Sequence, residues 1–281
     1  MFNIVSHNQG YVLQDTHNTA LHGAIQTDIY IRRKEDCQQI HAGNGEYVYE
    51  LIGKHSGNSQ QHSLAQVEIF KNGFSQAHYD PKAEESYIIT EGSGRLTISN
   101  QTRAVTIGDV VKIPVGKIHQ IFNDNIETLK FYCICAPAWT PEGFIPAGQQ
   151  LHNQKVNSES DEIYIKRKED CQEINAGNGE HIYELLGLHN GNSQQHSVAQ
   201  VEIMQNGHSQ AHYHPKAEES YIITEGSGSL TIGDQTRAVA KGDIVKIPMG
   251  KIHQIFNDNT EALKFYCIRA PAWTLEGIVY V

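Results

Sequence analysis

No stretch of this 281-residue chain runs to 18 consecutive apolar residues, so no membrane-spanning helix is expected. The first ten residues lack the basic n-region and apolar h-region of a secretory signal, and export is not expected either. Basic charge is in short supply. Lys and Arg number 22 against 32 Asp and Glu, a net charge of −10. Nucleic acid and anionic membrane surfaces both call for a basic face, so neither is an expected partner. Cysteine is sparse and odd in number, at five, which does not fit a disulfide framework. A reducing cytoplasm is the simplest location. Cys133 and Cys135, with one residue between them, offer a metal or redox pair, but the spacing is one short of the usual two and the second repeat lacks it, so they read as small hydrophobes of a core. A helical pattern is also nearly missing: one short hint spans Arg32 to Ile40, and its twin recurs at 166–174.

What is present is a repeat. Residues 28–143 align with 162–277 without a gap, at a constant offset of 134 positions, so that His78 matches His212 and His119 matches His253. A period this long marks a duplicated domain rather than a solenoid unit. The chain therefore divides into an N-terminal extension (1–27), a first domain (28–143), a polar linker rich in Asn, Gln and Ser (144–161) and a second domain (162–281). Tyr11, Val12 and Leu13 give the extension something to bury, so partial order is expected there. Each half is long enough for its own core.

The local signal is β. Segments such as 46–51, 65–70, 87–90, 95–98 and 130–135 are short, rich in β-branched and aromatic residues, and partly alternating. Asn72-Gly73, Gly92 to Gly94 and Gly108-Asp109 punctuate them. Many short strands at close spacing indicate an all-β sandwich or barrel.

The chemistry concentrates in His212-Tyr213-His214, Glu219 and His253, with a first copy in His78, Asp80, Glu85 and His119. Alternate residues of a strand share a face, so His212 and His214 can reach one ion. Pro248 and Gly250 shape the turn that brings up His253. Imidazole and carboxylate donors suit Fe, Mn, Ni, Cu, Co or Zn, one ion per domain or in the second domain only. With no thiolate among these donors, a cysteine-type structural zinc site is not expected. Asp80 in place of His214 makes the first set harder and more anionic, or leaves a metal-free barrel. Glu84 and Glu218 rival Glu85 and Glu219, one residue earlier. By strand parity Tyr221 and Ile255, like Tyr87 and Ile121, face the ligands. Tyr221 reads as an acid, a substrate clamp or plain core, and Gln210 as a pocket residue. His208 stands where the first repeat has Phe74, and Met249 where it has Val115, so the pockets differ. Trp139 and Trp273 read as anchors at the domain ends.

These residues resemble the motifs of the cupin superfamily, in a two-domain bicupin arrangement. The first motif reads His212-x-His214-(x4)-Glu219-(x6)-Gly226. The second reads Gly242-(x5)-Pro248-x-Gly250-(x2)-His253-(x3)-Asn257, and the first repeat matches with Gly108, Pro114, Gly116, His119 and Asn123. The one spacing departure is four residues from Gly207 to His212, where five is usual. The resemblance covers most of each repeat. It implies an all-β fold of two tandem jelly-roll barrels, each with a metal inside. The six-residue gap to Gly92 and Gly226 favours Glu85 and Glu219 over their neighbours.

The resemblance admits dioxygenases, decarboxylases, isomerases, cyclases, lyases and plain binding proteins, since fold alone does not fix function. The leading expectation is a metal-dependent enzyme on a small organic substrate, of dioxygenase type, with Glu219 and Tyr221 as catalytic candidates. A redox-neutral cupin enzyme or a non-catalytic binding cupin is the alternative. Oxalate decarboxylases are bicupins too, but an arginine just ahead of His-x-His is expected in them. Here Ser75 to Ala77 and Ser209 to Ala211 stand there, which weighs against that substrate. A monomer and a homodimer are both expected assemblies.

Overall fold

The computed structural model describes residues 29–147 and 163–281, together with the backbone of two strands, Phe2–Ser6 and Tyr11–Asp15, which pair with each other. The rest of the N-terminal extension, residues 148–161 of the expected linker, and the first residue of each expected domain (28 and 162) lie outside the described residues. Each repeat folds into a seven-stranded and a five-stranded sheet, almost wholly antiparallel, as tandem jelly-roll barrels. The only described helices are short 3-10 turns. Two of them, Lys34–Asp36 and Lys168–Asp170, fall where the sequence carried its helical hint.

The large sheets have two buried faces, and the alternation along one strand shows why. In Glu84–Glu91 the first six residues are all buried. Glu85, Tyr87 and Ile89 point into the first barrel, and Tyr87 and Ile89 pack there with Val67, Leu96, Ile121 and Phe131. Ser86 and Ile88 point the other way, toward the second barrel. Ile88 joins Leu51, Leu64, Val110 and Ile134 against Leu185, Val198, Ile222, Ile244 and Ile268 of the second repeat. The two large sheets thus pack face to face over an apolar layer. At about 1.5–3 kcal/mol per fully buried aliphatic side chain, that layer holds the halves together firmly.

The repeats also exchange strands. Tyr30–Arg32 from the start of the first repeat adds to the second repeat's sheet beside Ile244–Ile247. Ile165–Lys166 adds to the first repeat's sheet beside Val110–Ile113. Arg33 on Asp243 and Arg167 on Asp109, each 2.5 Å, clamp the exchanged strands. The sequence repeat is therefore not the same unit as the barrel. The expected linker also begins inside the first barrel: Ile145–Pro146 pairs with His78–Tyr79, as Val279–Tyr280 pairs with His212–Tyr213. Strand pairing uses main-chain groups, so it continues past the point where side-chain identity between the repeats ends.

Glu84 and Glu218 belong to this interface, not to the barrel interiors, because they are one residue out of phase with Glu85 and Glu219. Glu218 accepts from the Ser59 hydroxyl (2.7 Å) and from the backbone N–H of Gln60 and Gln61, and it meets Lys246 at 3.3 Å. Glu84 mirrors it with Ser193 and Lys112. Beside them His62 bonds Ser220 at 2.7 Å and His196 bonds Ser86 at 2.8 Å, both histidines fully buried.

Candidate metal centre and the groups around it

In the second barrel, His212, His214, Glu219 and His253 each bring a donor atom within 4.8 Å of the other three. The backbone sets this up. His212 pairs directly with His253 across neighbouring strands. The Gly250 N–H bonds the His214 carbonyl at 2.8 Å and ties the second motif's turn to the first motif. Gly250 has φ +76, a conformation that L side chains rarely adopt. Asn257 serves the frame: its side chain bonds the carbonyls of Ile203 and Glu261.

Each imidazole is held by its Nδ1. The acceptors are the carbonyls of Gln210 for His212 (2.7 Å), Gly277 for His214 (3.0 Å) and Lys251 for His253 (3.0 Å). That anchoring puts the proton on Nδ1 and leaves the Nε2 lone pairs free, as a metal ligand requires. The Nε2 atoms of His214 and His253 and one oxygen of Glu219 are buried with no hydrogen-bond partner. His253 Nε2 and Glu219 Oε2 lie 2.8 Å apart but outside hydrogen-bond geometry. Buried donors left unpaired are costly, and atoms crowded around one point with free lone pairs fit a cation.

The electrostatics agree. Burial, then the neighbouring His253, pulls His212 down to about 4, so it is neutral. Burial alone would raise Glu219, but His214 and His253 hold it well below the usual carboxylate range. Tyr221 is buried two residues from Glu219, with its ring centroid 6.3 Å from that of His253 and 4.5 Å from that of Phe265. Burial, then Glu219, drives its phenol well above the ordinary value, so it stays protonated. Gln210 contributes its backbone carbonyl to His212.

The first barrel differs. His78, Glu85 and His119 come together, with Nδ1 anchors on Gln76 (2.8 Å) and Lys117 (3.1 Å). Asp80 does not join them. Its Oδ1 accepts the backbone N–H of Lys82 (2.7 Å) and Ala83 (2.8 Å). A short Asp side chain at this turn caps its own backbone two and three residues on, and so turns from the centre. The four-donor first site expected from the sequence is therefore a three-residue group. Trp139 lines a cavity of about 180 Å³ in the first barrel, and Trp273 is 40% exposed; the backbone N–H of each donates to a strand serine, Ser63 (3.0 Å) and Ser197 (3.1 Å).

Two residues of the second barrel were not singled out as site residues. Arg269 pairs in register with Glu219 across neighbouring strands, on the same face. It is only 5% exposed. Its Nη2 donates to the Gly277 carbonyl at 3.0 Å, while Nε and Nη1 have no partner. The same carbonyl anchors His214, so one main-chain oxygen positions both a candidate ligand and the guanidinium. A side chain at Gly277 would collide with Nη2. The second residue is Glu180. Burial, then the Glu219 charge, raises its carboxyl to about 7. Its counterpart Glu46 lines the first-barrel cavity and is raised to about 8 by burial.

Among known proteins, the Cupin domain family matches residues 66–135 and 199–269. A germin-like protein 5-1 of Oryza sativa subsp. japonica is 32% identical over 77 residues, 25% of this chain and 34% of that protein, so the match spans about a third of its length. The protein MJ1618 of Methanocaldococcus jannaschii is 32% identical over 98 residues, 35% of this chain and 78% of that protein. Among solved structures, a Lactobacillus farciminis oxalate decarboxylase formate complex superposes with TM-score 0.74 at 15% identity, covering 92% of this chain and 90% of that one. A Bacillus subtilis oxalate decarboxylase, described with Mn(II) centres, gives 0.75 at 16% identity, covering 92% and 81%. At such identity the likeness speaks for the fold: two cupin barrels in one chain. With both motifs present twice and the family matching each half, this chain belongs to the cupins, as a two-domain bicupin.

Proposed function

We propose that the protein is a metal-dependent lyase of the decarboxylase type, whose second barrel acts on a small carboxylic acid. Arg269 carries this reading. A buried guanidinium with two unpartnered N–H donors, in register with Glu219, suits a carboxylate that would lie beside the metal. The arginine sought ahead of the His-x-His motif is thus supplied from another strand. His212, His214, Glu219 and His253 would hold the ion, and Mn(II) is the first to test. Bound there, the ion supplies Lewis acidity and positive charge next to the substrate.

The chain's own residues do the rest. Arg269 binds and orients the carboxylate. Val201, Ile203 and Ile223 in the same interior keep water out. Glu180, whose carboxyl is raised chiefly by burial, is the candidate general acid. When the carbon–carbon bond breaks, CO₂ leaves and its electron pair stays on the remaining carbon. The Glu180 proton goes to that carbon, and solvent restores the acid. Tyr221, kept protonated by its burial, packs its ring beside His253 and Phe265. Dioxygenase chemistry, the leading expectation from the sequence, would use the same metal and the same arginine but leaves the Glu180 proton without a role.

The test is turnover by Mn(II)-loaded protein on a panel of small carboxylic acids, reading CO₂ release and O₂ uptake together. CO₂ without matching O₂ consumption is expected. Glu180→Gln should keep metal and ligand binding and lose about 10²–10⁴-fold in kcat. One O₂ consumed per turnover would replace this reading with a dioxygenase. Tight binding with no turnover would replace it with a binding protein.

A further inference from the structure

The two barrels differ on one interior wall. Cys135 of the first stands where the second has Arg269, and Phe144 where the second has Ile278. The second barrel fills its wall with a guanidinium, whereas the first has the cavity of about 180 Å³. Most of the cavity lining comes from one face of three neighbouring strands: Glu46 and Val48 on Glu46–Ile52, Ala65 and Val67 on Ser63–Ile69, and Phe131 and Cys135 on Leu129–Ala136. Alternate residues of each strand share that face. Aromatic rings close the space. Phe144 lies flat against His78, with ring centroids 4.2 Å apart at 23°. Tyr87 packs on Phe131 at 4.6 Å, and Trp139 completes the lining. His78 and Glu85 touch the cavity, but His119 is not part of its wall.

The charges of this wall exclude most ligands. Among its described residues there is no lysine or arginine. The Glu85 carboxylate is already faced by His78 Nε2 at 3.8 Å and His119 Nε2 at 3.5 Å. Cys133, then burial, hold the Cys135 thiol well above its ordinary value, so it carries no charge. Burial raises Glu46 to about 8, which leaves a protonated carboxyl able to donate a hydrogen bond. Glu50, the remaining acid of the wall, is only half-buried. A charged ligand of either sign would enter this interior without a free counter-charge, which is costly. An apolar cavity of about 150 Å³ is enough for benzene, so the space suits one substituted ring. We propose that the first barrel binds a small uncharged ring compound, held between the aromatic walls with a hydrogen-bond acceptor turned toward Glu46. The duplicated chain then carries two pockets of different charge preference. This site depends neither on the decarboxylase reading nor on an ion in the first barrel.

The experiment titrates the full-length protein by calorimetry with benzamide, benzoate and benzamidine, which share a shape and carry no charge, a negative charge and a positive charge. Benzamide should bind at one site, at least about 10-fold more tightly than benzamidine. Ala65→Leu and Cys135→Leu each fill the cavity and should abolish benzamide binding, with thermal unfolding showing that the variants remain folded. Any benzoate bound through Arg269 should survive both fillings. Glu46→Leu should weaken benzamide by about 5–10-fold, and Glu46→Gln, whose amide still donates, by less. A wild type that binds no benzamide overturns the proposal, and so does benzamide binding that survives both filled variants. Benzamidine bound more tightly than benzamide would replace it with a site for organic cations.

Discussion

Arg269→Met is expected to remove carboxylate recognition while leaving the fold intact or more stable. The guanidinium is buried, and two of its donors have no protein partner. Such donors cost about 1–3 kcal/mol each when nothing satisfies them. A methionine of comparable length removes that cost and gives up only the bond to Gly277. A purely structural arginine would behave in the opposite way, because its removal would leave its partners stranded. Binding should fall by about 30-fold or more, since truncating one member of a buried charge pair costs about 2–5 kcal/mol. Lysine should recover part of the affinity, keeping the charge but not the two-pronged fork. Bound metal should stay unchanged in both variants. The checks are ligand titration, metal content and thermal unfolding on the same preparations. A destabilised Arg269→Met that still binds carboxylates normally would show that the arginine serves the fold.

The second large effect concerns pH and the seam between the barrels. Burial pulls His62 down to about 4, with Lys246 adding to it and Glu218 opposing it. Burial, then His62, then Lys112 pull His196 down to about 3. Both are neutral in the folded protein. In the unfolded chain a histidine titrates near 6.5. The unfolded state therefore binds more protons as pH falls below about 6.5, and the folded state is losing stability through that range. The loss levels off only when the folded pKa is reached, near 4 or 3. Each histidine contributes on the order of 3 kcal/mol over the window. Glu46 and Glu180 work against this trend, since their raised values make the folded state the better proton binder between about pH 4.5 and their own pKa. The comparison with His62→Gln/His196→Gln isolates the seam. Wild-type stability should fall toward pH 4.5 more steeply than that of the double variant. Parallel curves would mean that these histidines do not govern acid stability.

Much of the architecture was legible because the relevant signals are local. The ligand spacings, the turn residues Pro248 and Gly250, and the parity that puts Tyr221 and Ile255 inside all follow from one strand at a time. Both Tyr221 and Ile255 are indeed interior. The unread parts depend on what lies across the sheet. Asp80 sits at a ligand position by spacing, but its short side chain finds the amides of Lys82 and Ala83 first. Arg269 stands in the second repeat where the first has Cys135, a difference that carries no site signal by itself. What the sequence did not show was that Glu219 is its partner in register, which depends on strand pairing. Glu180 carries no motif at all: its character comes from burial beside Glu219. The exchange of Tyr30–Arg32 and Ile165–Lys166 between barrels is also a non-local pairing, with only a few residues of β pattern to announce it.

The most direct test of the account is metal content in protein purified without added metal, wild type beside His212→Ala/His214→Ala. Two of the four donors lost should empty the second barrel and leave the first untouched. The account predicts close to two equivalents in the wild type and close to one in the variant, with the second-barrel ion gone. A folded wild type that carries no metal, or a variant that keeps every ion of the wild type, would contradict it.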